Sequence, residues 1–252
     1  MISRSNPTIV ILPDRAALAR DAARRFVTLA RKALTARGRF AVALAGGSTP
    51  RDLYTLLATP EFATQIDWTR IHFFWGDERA VPPDHPDSNY RMAREALLSK
   101  ISVPDPNVHR IHAELGPDDA AREYESELRN FFQFQSPQAN LPSFDLILLG
   151  LGTDGHTASL FPHTRVLDET ERWVAAVFVE KLGTHRITLT VPVINAAKNI
   201  VWLVAGADKA DIVRAVLHGE HQPNDLPAQR IQPVNGNVVW LLDQAASIKL
   251  NE

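Results

Sequence analysis

Short apolar runs alternate along the chain with longer stretches whose apolar positions recur every three or four residues, the signature of strands interleaved with helices. Residues 8–12 (TIVIL), 39–45 (RFAVALA), 70–76 (RIHFFWG), 144–150 (FDLILLG), 173–180, 186–191, 199–205 and 238–242 read as strands. Residues 14–37 read as a helix with Leu18, Ala22, Phe26, Leu29, Ala33 and Leu34 on one face, stopped by Gly38 in the manner of a glycine just past a helix end. A second helix is expected to open near Pro50. Thr49 would be its cap, Asp52 lies three residues further on, and Leu53, Leu56 and Leu57 form its apolar face. Further helices are predicted over 88–100, 118–134 and 208–217, and residues 223–233 read as loop. The run at 144–150 is apolar almost throughout, as a parallel strand covered on both faces is. Strands alternating with helices predict an α/β fold with a largely parallel sheet. In such sheets ligands sit beyond the carboxyl ends of the strands.

Composition narrows the classes of function. A chain of 252 residues fits one or two domains, and the unbroken alternation favours a single domain over 1–252. Cysteine is absent, which excludes disulfides, thiolate metal sites and a cysteine nucleophile. Lys and Arg number 27 against 29 Asp and Glu, so there is no net basic charge to bind nucleic acid. No apolar run approaches the roughly 20 residues of a membrane helix, and the start of the chain is too polar for a signal peptide. The expected compartment is the cytoplasm.

Three polar clusters fall at strand ends. The first is Gly46-Gly47-Ser48-Thr49-Pro50-Arg51. Glycines let backbone approach a ligand, and the following helix start offers free N–H groups and positive dipole, so the segment suits a phosphate. A plain glycine turn with a threonine cap is the alternative. It is not a P-loop, because the Gly-Lys-Ser/Thr ending is missing. The second cluster, Gly76-Asp77-Glu78-Arg79, either orients a ligand or forms a solvated salt bridge.

The third cluster runs from Gly150 to Pro162, GLGTDGHTASLFP. It contains a G-x-G-x-x-G match. A dinucleotide reading fails because that fingerprint needs a full helix after its third glycine, and Pro162 would interrupt one. What remains is a glycine-rich strand end that presents His156. Imidazole has the near-neutral pKa suited to activating water, although a lone histidine is often structural. Asp154, two residues earlier, either orients the ring or caps the turn. Ser159 lacks the G-x-S-x-G elbow of a serine nucleophile, so no covalent intermediate is expected. Arg186 and Lys209 could each meet a phosphate dianion or simply be surface charges. His109 and His112 would point to opposite faces of an extended segment and are not expected to bind metal.

Taken in order, GGSTP, GDER, GLGTDGHTASLFP, RITLT and GADK resemble the motifs of the 6-phosphogluconolactonases of the glucosamine-6-phosphate isomerase/deaminase superfamily. The likeness runs from about residue 8 to 242, and DGHTASLFP is its most specific block. It implies a Rossmann-like, largely parallel sheet with helices on both faces. It also implies hydrolysis of 6-phospho-D-glucono-1,5-lactone, the second step of the oxidative pentose phosphate pathway, without metal or organic cofactor. Carried over by motif, His156 would be the water-activating base and Asp154 its orienting partner, while Arg79 would hold or polarise the lactone. Gly46, Gly47, Ser48 and Thr49 would form the phosphate loop with Arg186 and Lys209, and Asp77 would line the same site. Residues 226–230 (LPAQR) resemble the family's late loop. Asn89 and Arg51 have no clear assignment. The expected partner is a sugar phosphate, with neither nucleic acid nor membrane, and the protein is expected to be a monomer or weak dimer.

Two other readings remain at this point. Deaminases of the superfamily resemble Asp-Glu-Tyr at the second cluster and His-Ile-Ala-Phe-Asn-Glu-Pro at the third, where this chain has Asp77-Glu78-Arg79 and HTASLFP. A non-catalytic sugar-phosphate sensor would carry a DNA-binding module, for which the chain shows no spare length.

Overall fold

The computed structural model describes residues 7–133 and 141–250. Its strands are β1 (Thr8–Leu12), β2 (Phe40–Leu44), β3 (Ile71–Trp75), β4 (Asp77–Arg79), β5 (Leu146–Leu149), β6 (Val174–Val179), β7 (Thr184–Leu189), β8 (Asn199–Val204) and β9 (Asn237–Asp243). Six of the apolar runs lie side by side in one sheet of order β1-β9-β8-β5-β2-β3, with every pairing parallel. β2 is buried at all five positions and β5 at all four, so these central strands carry no polar alternation. Trp202 of β8 lies opposite Trp240 of β9, and their rings stack at 4.1 Å.

The helices are α1 (Arg15–Arg37), α2 (Ser48–Leu57), α3 (Pro60–Ala63), α4 (Asn89–Ala96), α5 (Pro117–Phe132), α6 (Val191–Asn195), α7 (Ala210–His218) and α8 (Gln244–Ser247). α1 follows the sequence reading closely: Asp14 accepts from the Ala17 amide at its start, and Gly38 closes it at φ 77°. No helix among the described residues is long and apolar enough to cross a membrane. Residues 1–6, on which the reading of the amino terminus partly rests, lie outside the described residues, as does position 134 of the helix expected over 118–134.

Several expectations are corrected. The second helix begins at Ser48, not near Pro50. Gly47, at φ 100°, is its cap, and no side chain accepts a capping hydrogen bond there. The Gly47 carbonyl already takes the Arg51 amide, so Thr49 sits inside the first turn and cannot cap it. Asp52 pairs instead with Arg15 of α1. The stretch expected to be helical over 88–100 breaks at Leu97, at φ −134°, and resumes as a 3₁₀ turn. The strand expected over 186–191 ends at Leu189, because α6 opens at Val191 with Pro192 in its first turn.

The largest departure is a second sheet. β4, β7 and β6 form a three-stranded antiparallel sheet in that order. β4 follows β3 with only Gly76 between them. The Gly76 amide donates to the Leu44 carbonyl of β2 at 2.9 Å, and its carbonyl accepts from the Leu189 amide of β7 at 2.8 Å. One residue therefore bonds to both sheets. A contiguous apolar core draws on Phe73, Ile147 and Trp202 of the large sheet and Val177, Ile187 and Leu189 of the small one.

Candidate active site

The strand order places β2 and β5 side by side, although the chain runs from β2 to β3 on the other flank before it returns to β5. Carboxyl ends at such a reversal leave a crevice. A cleft of about 250 Å³ opens there, lined among others by Gly46, Gly47, Asp77, Arg79, Asn89, Gly152, His156 and Lys209. All three polar strand ends therefore meet in one place.

The first wall is the turn from β2 into α2. Tyr54 is buried, and its hydroxyl bonds to both the amide (3.0 Å) and the carbonyl (2.8 Å) of Ala45, which fixes the backbone just before the glycines. A methyl on Gly46 would overlap the Asn89 side-chain amide, so only glycine allows this approach. α2 has no side-chain cap, so no side chain satisfies its first amides, the kind of donors that suit an anion. Ser48 is exposed and Thr49 half-buried; both lie in the first turn rather than on the cleft wall. Arg51 is exposed.

Glu78 organises the second wall. It is buried, and its carboxylate accepts from the amides of Arg79 (2.8 Å), Asn89 (2.7 Å) and Tyr90 (2.8 Å) and from the Ser88 hydroxyl (3.0 Å). The carboxylate thus ties β4 to the start of α4. Burial raises its pKa above the ordinary value against the opposing pull of those amides. Asp77, also buried, accepts from the Ser159 hydroxyl at 2.7 Å, and the Asn89 side-chain amide donates to the Asp77 carbonyl at 2.9 Å. Ser159 is itself buried and is held in place by this bond. Arg79 bonds to the Asp87 carbonyl. Arg186 lies directly across from it in the β4–β7 pairing and donates to the His185 carbonyl at 3.0 Å, so it borders the cleft without lining it. Burial and the neighbouring Arg79 charge both lower the Arg186 pKa. Two like charges on adjacent strands repel, and an anion between them would relieve that repulsion.

The third wall follows β5. The Gly152 amide donates to the His156 carbonyl at 2.8 Å, and the Gly155 amide to the Gly152 carbonyl at 3.0 Å. This tight turn swings the imidazole back over Gly152. Asp154 accepts from His156 Nδ1, which places the ring proton there and leaves the lone pair on Nε2. Phe161 stacks on the ring at 4.1 Å and 23°. Burial pushes the His156 pKa down to about 4; Asp77 opposes the shift, while Lys209, Arg186 and Arg79 add to it. The ring is therefore neutral at pH 7. Asp154 stands behind the imidazole, outside the cleft lining, and its second oxygen meets Lys181. Lys209, just before α7, lines the cleft and stands 3.5 Å from Asp208.

Residues 150–163 form no helix, in agreement with the rejection of a dinucleotide fingerprint. His109 and His112 engage different carboxylates, Glu127 at 2.6 Å and Glu123 at 3.1 Å. Among the described residues no group of three or more His, Asp or Glu side chains is placed to hold a metal ion. Tyr54, Phe161 and Lys181 were given no role by the sequence, and Glu78 was placed only within the charged triplet, not as the anchor of α4. Glu78 alone carried a signal, a carboxylate in a triplet at the end of an apolar strand.

Residues 13–240 match the family described as glucosamine-6-phosphate isomerases/6-phosphogluconolactonase. The chain is 44% identical over 245 residues to a 6-phosphogluconolactonase of Synechocystis sp., covering 97% of this chain and 98% of that protein. Among solved structures it resembles the 6-phosphogluconolactonase of Trypanosoma cruzi, with a TM-score of 0.88 at 28% identity over 99% of both chains. It also resembles that of Trypanosoma brucei, with a TM-score of 0.85 at 31% identity over 98% of this chain and 100% of the other.

Proposed function

Since the chain belongs to the glucosamine-6-phosphate isomerase/6-phosphogluconolactonase family, we propose that it hydrolyses 6-phospho-D-glucono-1,5-lactone to 6-phospho-D-gluconate, with His156 activating the water. The observation that carries this reading is the sharing of one cleft by a neutral imidazole and an uncapped helix start at Gly46–Gly47. A lactone phosphorylated at its far end needs both: an anchor for the dianion and a base at the carbonyl.

The phosphate binds at the amides of Gly47, Ser48 and Thr49, with Lys209 and Arg186 supplying charge. Anchoring there presents the lactone carbonyl to His156. Nε2 takes a proton from water as the oxygen attacks C1, and Arg79 stabilises the oxyanion that forms. Collapse of the tetrahedral intermediate breaks the bond from C1 to the ring oxygen. The imidazolium returns its proton to that oxygen, and the new carboxylic acid releases one to solvent. Asp154 keeps the imidazole in the Nδ1–H tautomer throughout, and Asp77 lines the site beside Asn89. Base catalysis of this kind contributes about 10²–10⁴-fold, enough for an ester that already opens slowly in water. We read residues 1–252 as one catalytic domain that acts as a monomer or weak dimer and takes no cofactor.

The test is acid release from freshly generated lactone with and without the protein. Catalysed release is expected. Release at the spontaneous rate overturns the proposal, and ammonia from glucosamine 6-phosphate would assign the chain to the deaminases instead.

A further inference from the structure

We propose that Lys181 is a positioning residue for lactone hydrolysis, clamping the oxygen of Asp154 that faces away from His156 and so holding both supports of the imidazole. The inference rests on the reading of His156 as base. Asp154 uses its two oxygens separately. Oδ1 accepts from His156 Nδ1, whereas Oδ2 pairs with the Lys181 ammonium. The same ammonium stands 5.0 Å from the centre of the Phe161 ring, within cation–π range, and Phe161 is the ring stacked on the imidazole. The carboxylate at the edge of His156 and the phenyl on its face thus meet one cation.

The fold explains how a residue distant in sequence reaches this point. Lys181 sits in the 3₁₀ turn Glu180–Leu182 at the tip of the β6–β7 hairpin, and Gly183 closes that turn at φ 61°. Lys181 does not line the catalytic cleft. It borders a separate cavity of about 850 Å³, on the side of Asp154 away from the substrate. Its effect must therefore pass through Asp154 and Phe161 rather than through contact with the lactone. The side chain is 52% exposed, and ion pairs so open to water add little to folding stability. Loss of the ammonium should consequently damage turnover without damaging the fold.

The charged groups around the imidazole also predict a pH effect. Asp154 and Asp77 favour the imidazolium, and Lys209, Arg186 and Arg79 oppose it. Removing Lys181 leaves the Asp154 charge uncompensated, so the acid limb of kcat should move to higher pH.

The experiment compares Lys181→Met, Lys181→Arg and His156→Ala in steady-state lactone hydrolysis. Lys181→Met is expected to lower kcat about tenfold or more, with KM within about twofold, an upward-shifted acid limb and an unchanged Tm; Lys181→Arg should restore most of kcat. Unchanged kcat and pH profile in Lys181→Met beside an inactive His156→Ala would overturn the role of Lys181 alone. A change confined to KM would overturn it too, by showing direct substrate contact, as would equal losses in the Met and Arg variants with an unmoved acid limb. An active His156→Ala would overturn the catalytic reading itself, and the inference with it.

Discussion

Gly152→Ala tests the catalytic geometry with a single methyl group. Gly152 does not have the left-handed backbone of Gly155 or Gly47, so alanine is conformationally acceptable there. The obstacle is local: the new methyl would occupy the space of the His156 imidazole and stand 2.7 Å from Asp154 Oδ1, well inside ordinary contact distance. The ring must swing away, and its bond to Asp154 and its stack on Phe161 are lost together. If His156 is the base, the variant forfeits its contribution, about 10²–10⁴-fold in kcat, equivalent to roughly 3–5 kcal/mol of barrier. The assay is initial-rate hydrolysis of fresh lactone, corrected for spontaneous opening, with product affinity and Tm measured in parallel. Affinity should hold, because the phosphate turn lies on the opposite wall. A variant that folds, binds product and retains wild-type kcat would refute the role of this imidazole.

Other perturbations probe separate parts of the site. Burial lowers the His156 pKa to about 4 in the free protein, and a bound phosphate would offset the Lys209 and Arg186 charges that add to the shift, so the acid limb of kcat should lie between that value and the ordinary 6.5; a limb at or above 6.5 would contradict the burial argument. The limb must be read in kcat, since the phosphate of the free substrate titrates near pH 6 and would enter kcat/KM. Lys209→Ala and Arg186→Ala should raise KM by about tenfold each while kcat changes little, and unchanged saturation curves in both would remove them from the phosphate site. Glu78→Ala leaves the buried Asn89 amide and Ser88 hydroxyl and the partly buried Arg79 and Tyr90 amides without their acceptor and should cost about 3 kcal/mol or more, a fall of roughly 6–12 °C in Tm by thermal unfolding.

The parallel sheet was legible because its central strands are buried on both faces and all of its strands stand out as apolar runs. The cleft was legible because each of its walls begins where such a run ends in glycine. β4 was not. Asp77, Glu78 and Arg79 show no strand pattern, and they pair only because β7 offers an antiparallel edge beside them. Glu78 was read as a ligand-orienting or solvated charge, whereas it serves as the anchor of α4. The capping role given to Thr49 failed because Gly47 turns the chain two residues sooner. Lys181 could not be found from sequence: a lone lysine between Glu180 and Leu182 carries no motif, and only the hairpin brings it to Asp154.

The junction at Gly76 implies a division of labour between base plate and rim. The parallel sheet carries the Gly46–Gly47 turn and the imidazole, whereas the small antiparallel sheet carries Arg79 and Arg186 and meets the plate through the backbone bonds of Gly76 and the shared apolar core. Tilting that rim would change the span between dianion and guanidinium while leaving the imidazole and its turn where they are. An engineer seeking longer or shorter acyl sugars should therefore vary the seam at Leu44, Gly76 and Leu189 before touching the cleft walls.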